Sequence, residues 1–237
     1  PFNNCQDVLF ADSAIATQVP YPHELADIAS HTISTAQKSG WVWDIGLPTR
    51  RGVGYVYSSK YQSDEQALDV LKNYLNESDT GSNIGVEKLK FKTIKFTPGH
   101  RQKFWHKNCV AIGMAAGFLE PLEASALLLI EISARMIAEQ FPVNRLVMAA
   151  LANQYNQISL YRWQRIIDFL KLHYVLTKRP EPFWRDNLKS DSIPQSLQEL
   201  LALWQHIPPH DQQFPHAVEV FPAASYRYVL YGMGFKT

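Results

Sequence analysis

Residues 108–125, Asn-Cys-Val-Ala-Ile-Gly-Met-Ala-Ala-Gly-Phe-Leu-Glu-Pro-Leu-Glu-Ala-Ser, carry a strand into a helix. The β-type run Asn108 to Gly113 enters a corner of small residues, and a helix opens at Pro121, whose missing N–H costs nothing at the first helical position. The N–H groups and dipole of such a helix start attract negative charge. Gly113, Ala115, Ala116 and Gly117 leave no large side chain to hold a planar ligand away. Small residues before a helix also serve close packing, and on local pattern alone that reading is the stronger. Glu120 and Glu123 have a local explanation too, since acidic residues in a first turn stabilise a helix by about 0.3–1 kcal/mol. Against it, Glu123 sits among Leu122, Leu127 and Leu128, where a carboxylate is costly unless it meets a partner or a ligand.

Outward from this stretch the chain divides into two regimes. From Glu120 to Gln140 the pattern is apolar on most faces, with Glu131, Arg135 and Glu139 in one charged stripe, which predicts a largely buried helix with a solvated edge. Beyond Phe141-Pro142 the reading is helical: one or two helices over Asn144 to Tyr174, then Pro194 to Gln205, stopped by Pro208-Pro209. Ala217 to Phe235 is aromatic-rich without clear periodicity. Upstream, Val8 to Ala11 and Ser13 to Val19 read as short strands, and Trp41 to Ile45 alternates at period two before Gly54 to Ser59, a hairpin pattern. Ser63 opens a helix through Ala67, Leu68, Leu71 and Leu75, Asp79 to Gly85 reads as a loop, and Leu89 to Phe96 as a half-exposed strand. The expected class is α+β: a mixed or antiparallel sheet with a buried helix over residues 1–141, then a mainly helical module over 142–237.

Composition bounds the function. With 46% hydrophobic and 19% charged residues over 237, the chain is no disordered segment. A net charge of +1 gives no field to draw it onto nucleic acid or an anionic membrane. Two cysteines cannot build a disulfide framework, which suits a reducing, cytoplasmic setting. The longest apolar run, Cys109 to Leu119, contains two glycines and is too short to span a bilayer. Pro-Phe-Asn-Asn-Cys, without an initiating Met or a signal core, is expected to begin mid-protein.

Familiar chemistries find no starting point. His206 and His210 are split by Pro208 and Pro209, so no metal site is expected, and there is no Gly-x-Ser-x-Gly, Walker or Gly-x-Gly-x-x-Gly motif. Trp41, Trp43 and Ile45 share one strand face, which periodicity assigns to a sheet core. Trp163, Trp184, Trp204, Tyr226 and Tyr228 suit either a core or an aromatic binding groove, with core the better reading.

Taken in order, Gly40-Trp-Val-Trp-Asp-Ile-Gly46, Arg50-Arg-Gly-Val-Gly-Tyr-Val-Tyr-Ser-Ser59, Asn108-Cys-Val-Ala-Ile-Gly113 and Gly117-Phe-Leu-Glu-Pro-Leu-Glu123 resemble the flavin-dependent tryptophan halogenases. Asp168-Phe-Leu-Lys-Leu-His-Tyr174, Pro182-Phe-Trp184 and Tyr226-Arg-Tyr-Val-Leu-Tyr-Gly-Met-Gly234 extend the likeness over nearly the whole chain. The resemblance implies that residues 1–141 are the latter part of a flavin-monooxygenase-like module binding FAD and halide, and 142–237 a substrate-binding module. It implies reduced FAD (FADH2), oxygen and chloride or bromide as reactants, with hypohalous acid passing through a tunnel to a lysine and a glutamate beside an aromatic substrate such as tryptophan or another indole. By the same match Glu123 is that glutamate. Gly113, Ala116, Gly117, Phe118, Leu119 and Pro121 border the flavin, Leu127 lies against its ring, and the N–H groups of Ser125 and Ala126 hold halide. Trp41, Trp43 and Ile45 match a Trp-x-Trp-x-Ile-Pro signature that keeps substrate from the flavin. A separate flavin reductase and a homodimer are the implied partners.

Three departures stand out. Gly46 replaces the signature's proline and is expected to loosen that strand end. Ala124 and Ala126 stand where tryptophan-specific members tend to carry serine and glycine. The dinucleotide loop and the catalytic lysine are expected upstream of residue 1, leaving the chain inactive alone. A flavin monooxygenase or oxidase without halogenation, and a non-catalytic aromatic-groove module, are the alternatives.

Overall fold

The computed structural model describes residues 1–21, 27–77, 85–214 and 219–236. Short strand β1 (Phe2–Asn4) is followed by β2 (Ser13–Pro20), β3 (Ile33–Gln37), β4 (Gly40–Gly46) and β5 (Arg50–Tyr57). The alternation over 41–45 is the inner part of β4, which pairs antiparallel with β5 so that Trp43 faces Gly54 across the ladder. After β5 the chain enters α1 (Asp64–Glu77) through a capping box. The Ser63 hydroxyl accepts from the Gln66 N–H at 3.3 Å, and the Gln66 side chain accepts from the Ser63 N–H at 3.0 Å. Strand β6 (Lys92–Lys95) closes an antiparallel sheet of order β3-β4-β5-β2-β6. Ala67, Leu71 and Leu75 of α1 are buried in one cluster with Ile15, Val42, Val53 and Tyr55 of the sheet.

Val42 and Asp44 therefore point into this core, and Trp41, Trp43 and Ile45 take the opposite face. Trp41 is buried at 6% exposure, as the expected core facing has it, while Trp43 is partly buried and Ile45 is 38% exposed, because α1 covers the other side of the sheet. At Gly46 the space is tight, for a methyl group there would lie 2.7 Å from the Ile28 side chain and 2.9 Å from the Ala29 carbonyl oxygen. The 79–84 part of the expected loop lies outside the described residues.

Strands β7 (Gly99–Arg101), β8 (Trp105–His106), β9 (Cys109–Val110) and β10 (Gly117–Phe118) follow, with order β1-β7-β10 in one antiparallel sheet and β8-β9 as a pair. The expected strand over 108–113 is thus only β9, and that over 8–11 is absent. There the N–H groups of Val8 and Leu9 both turn back to the Cys5 carbonyl, at 2.9 and 2.8 Å. Leu9 and Ala11 are apolar because they are buried, not because they pair.

The rest is helical: α2 (Ala126–Glu139), α3 (Arg145–Val175), α4 (Pro182–Asp186), α5 (Gln195–Trp204) and α6 (Ala223–Gly232). Asn144 caps α3 by accepting from the N–H groups of Leu146 (2.9 Å) and Val147 (3.3 Å). One continuous α3 supplies Ile166, Phe169, Leu170 and Leu172 to a second core with Trp204, Tyr226 and Leu230. Two compact units result, 1–9 with 97–178 and 186–237, and 10–96 with 179–185. Helices α2 and α3 belong to the same unit, so the junction near 141 lies inside it. No helix among the described residues is long and apolar enough to cross a membrane.

Candidate functional site

The corner of small residues has both local and ligand-facing reasons. Gly113 takes φ 60 at the start of a 3₁₀ turn through Ala115, a conformation that favours glycine. Gly117 is needed by β10 itself: a side chain there would overlap the Gly99 carbonyl oxygen and stand 2.7 Å from His100 Cα. Beyond β10 the helix does not begin at Pro121. Leu122 to Ala124 form a 3₁₀ turn in which Glu123 (φ 66, ψ 5) and Ala124 (φ 49) are left-handed, and α2 starts at Ala126. This helix is not the buried one expected, for no residue of α2 is buried and Leu127 is 78% exposed. Its charged stripe does face solvent, with an Arg135–Glu139 ion pair at 2.7 Å.

Corner and helix start together enclose a cavity of about 380 Å³. Gly113, Ala116, Gly117, Phe118, Leu119 and Pro121 line it from the corner, Ser125, Ala126 and Leu127 from the first turn of α2, and Trp163 and Ile166 from α3. Every residue expected at the flavin and the halide is therefore brought to one mainly apolar space, within the usual size of ligand sites. Trp163, weighed above as core or groove, and Ile166, which the sequence did not single out, join the lining from α3.

Glu123 does not line this cavity. It is 38% exposed at its side chain, and its Oε1 lies 3.0 Å from His173 Nε2 on α3. That hydrogen bond holds its carboxyl below the ordinary glutamate range, against the opposing effect of burial. The partner expected for a carboxylate among leucines is thus His173, which lay in a quoted motif without a role. Glu120, in contrast, is buried and accepts from the Tyr174 hydroxyl at 2.6 Å. Trp41, Trp43 and Ile45 belong to the other compact unit. Trp41 and Trp43 meet edge to face at 6.3 Å, and the Trp43 ring occupies the space a side chain at Gly54 would need. Of the five aromatics considered for a groove, Trp163, Trp184, Trp204 and Tyr226 are buried in cores and only Tyr228 is open, so they form none.

Antiparallel sheets, a long helix that feeds a core and a mainly apolar cavity bordered by a helix start define an α+β chain with a cavity of ligand size. The tryptophan halogenase family model matches residues 1–237, and the chain belongs to that family. It is 32% identical over 236 residues to the tryptophan 6-halogenase SttH of Streptomyces toxytricini, covering 99% of this chain and 43% of that protein. The crystal structure of a tryptophan halogenase from Shewanella frigidimarina NCIMB 400 superposes with TM-score 0.95 at 52% identity, over 100% of this chain and 44% of that one. BrvH, a flavin-dependent halogenase from Brevundimonas sp. BAL3, superposes with TM-score 0.86 at 33% identity, covering 100% of this chain and 45% of that one. The chain thus spans less than half the length of these relatives.

Proposed function

We propose that this chain is part of a FADH2- and O2-dependent halogenase acting on an electron-rich aromatic such as tryptophan or another indole. Residues 1–141 belong in this reading to the FAD and halide module, and 142–237 to the helical substrate module. The observation that carries it is the single cavity lined by all nine residues named for flavin and halide. Its small and apolar lining fits the face of a flavin ring, with Leu127 against the ring. The first turn of α2 fits an anion, because the leading N–H groups of a helix have no intrahelical acceptor. The N–H groups of Ser125 and Ala126 hold the halide. Reduced FAD, when bound, would supply two electrons to oxygen, so that one oxygen atom leaves as water and the other oxidises halide to hypohalous acid. Glu123 orients and polarises the aromatic substrate, while Trp41, Trp43 and Ile45 keep it from the flavin. A separate flavin reductase, a homodimer and a cytoplasmic setting complete the reading.

The test uses the full-length protein with reduced FAD, oxygen, chloride or bromide, and a panel of indoles read by mass spectrometry. A halogen mass increment that disappears without halide is expected. An oxygenated product formed equally well without halide would overturn the reading. Glu123→Gln should abolish halogenation and leave flavin affinity nearly intact; equal loss of both would remove Glu123 from the substrate side.

A further inference from the structure

Resting on that reading of Glu123, we propose that His173 is its positioning residue: anchored through Nδ1 on the Phe169 carbonyl, the ring donates from Nε2 to Glu123 Oε1 and fixes where the second carboxylate oxygen points. His173 Nδ1 lies 2.8 Å from the Phe169 carbonyl oxygen, which only accepts, so Nδ1 bears a proton. Nε2 lies 3.0 Å from Oε1, and an ionised carboxylate also only accepts. The ring is therefore the donor in this contact, and against an ionised carboxylate the hydrogen bond is charge-assisted. The Phe169 ring meets the imidazole edge to face at 5.1 Å, which fixes its plane.

The backbone is shaped to the same end. Two consecutive non-glycine residues in the left-handed region cost about 1–2 kcal/mol each, and Glu123 and Ala124 are such a pair. This turn aims the Glu123 carboxylate at α3 instead of along the first turn of α2. The neighbouring charged groups are engaged elsewhere: Glu120 with the Tyr174 hydroxyl, and Lys171 of α3 with the Val8 carbonyl, Asn187 and Ser192. From the 3₁₀ turn, Glu123 is the charged group set against the ring. The donor it receives from His173 is also the main reason its carboxyl stays below the ordinary range.

In the full-length protein, His173→Phe keeps a ring and removes both nitrogens. Halogenation kcat is expected to fall about ten- to hundredfold, as when an outer-shell partner of a functional group is lost, with flavin affinity by absorbance titration and KM nearly unchanged. The acid limb of kcat should move to higher pH, because a carboxylate deprived of its donor protonates more readily. His173→Gln, which keeps an N–H donor, should recover part of the rate. Wild-type kcat and an unmoved acid limb in His173→Phe overturn the proposal. So does a joint loss of flavin binding and rate that His173→Gln does not relieve, since that marks a merely structural ring. If the wild-type protein does not halogenate, the reading of Glu123 has failed, and ¹⁵N NMR of the histidine rings then judges the pair alone. A hydrogen-bonded N–H at His173 Nε2 that is coupled to Glu123 supports it; a bare Nε2 beside an ionised Glu123 overturns it.

Discussion

Lys171 is a fully buried amine in the middle of α3, with Nζ 3.1 Å from the Val8 carbonyl oxygen, 2.6 Å from Asn187 Oδ1 and 3.1 Å from Ser192 Oγ. Burial pulls its pKa down to about 7, while Glu120 and Asp191 act in the opposite direction. An amine with a lower pKa in the folded chain binds its proton more readily when unfolded. Below about pH 7 the penalty on folding is full, and it is relieved as pH rises toward the unfolded value of about 10.4. Stability should therefore climb between pH 7 and 9, by about 2 kcal/mol at 1.36 kcal/mol per pH unit. Above pH 9 the Cys5 thiol, raised by burial, opposes the climb. Lys171→Met removes the charge and the climb, so wild type should gain on the variant in thermal unfolding from pH 7 to 9. A constant difference across that range would assign the slope to other groups.

At the scale of elements, the β4–β5 hairpin carries a buried ion pair that alternation does not announce. Arg51 Nε donates to Asp44 Oδ1 at 2.9 Å, a second guanidinium nitrogen donates to Oδ2, and the Tyr74 hydroxyl of α1 donates to Oδ2 at 3.2 Å. Asp44 in turn raises the pKa of Arg51. Removing one partner of such a pair leaves an uncompensated charge, so Asp44→Ala should cost about 3–5 kcal/mol. Asp44→Ala combined with Arg51→Met should recover part of it, because no guanidinium is then stranded. Equal melting temperatures for the single and double variants would deny the pair its role. The hairpin and the Ser63 box were legible because their causes lie within a few residues. Which face of β4 meets α1 was not, since the helix settles it from outside the strand: Val42 with Asp44 is covered by it, while the aromatic face runs from a buried Trp41 to an exposed Ile45. The break at Glu123 was illegible for another reason, as no glycine marks its left-handed backbone. Helix α6 escaped notice because Tyr228 and Tyr231 interrupt the stripe of Ala223, Tyr226, Val229 and Leu230 that it buries.

For the whole molecule, the candidate site was legible as a set of neighbours in sequence, because residues 113–127 stay together wherever the chain turns. His173, 50 positions from Glu123, could only be joined to it by the fold. The two hydrophobic cores show the same division on a larger scale, one built by α1 and the five-stranded sheet, the other by α3 with α5 and α6. They share no residue, so damage to one need not loosen the other. Leu71 of α1 and Leu170 of α3 are both fully buried, and replacing either by alanine should cost about 2–5 kcal/mol through lost transfer energy and the cavity left behind. Hydrogen exchange read by mass spectrometry separates the two. Leu71→Ala should speed exchange in β2, β4, β5 and α1 and leave α3 and α5 protected, and Leu170→Ala should do the reverse. Uniform acceleration across both sets in either variant would mean that the two cores open as one cooperative unit despite having no residue in common.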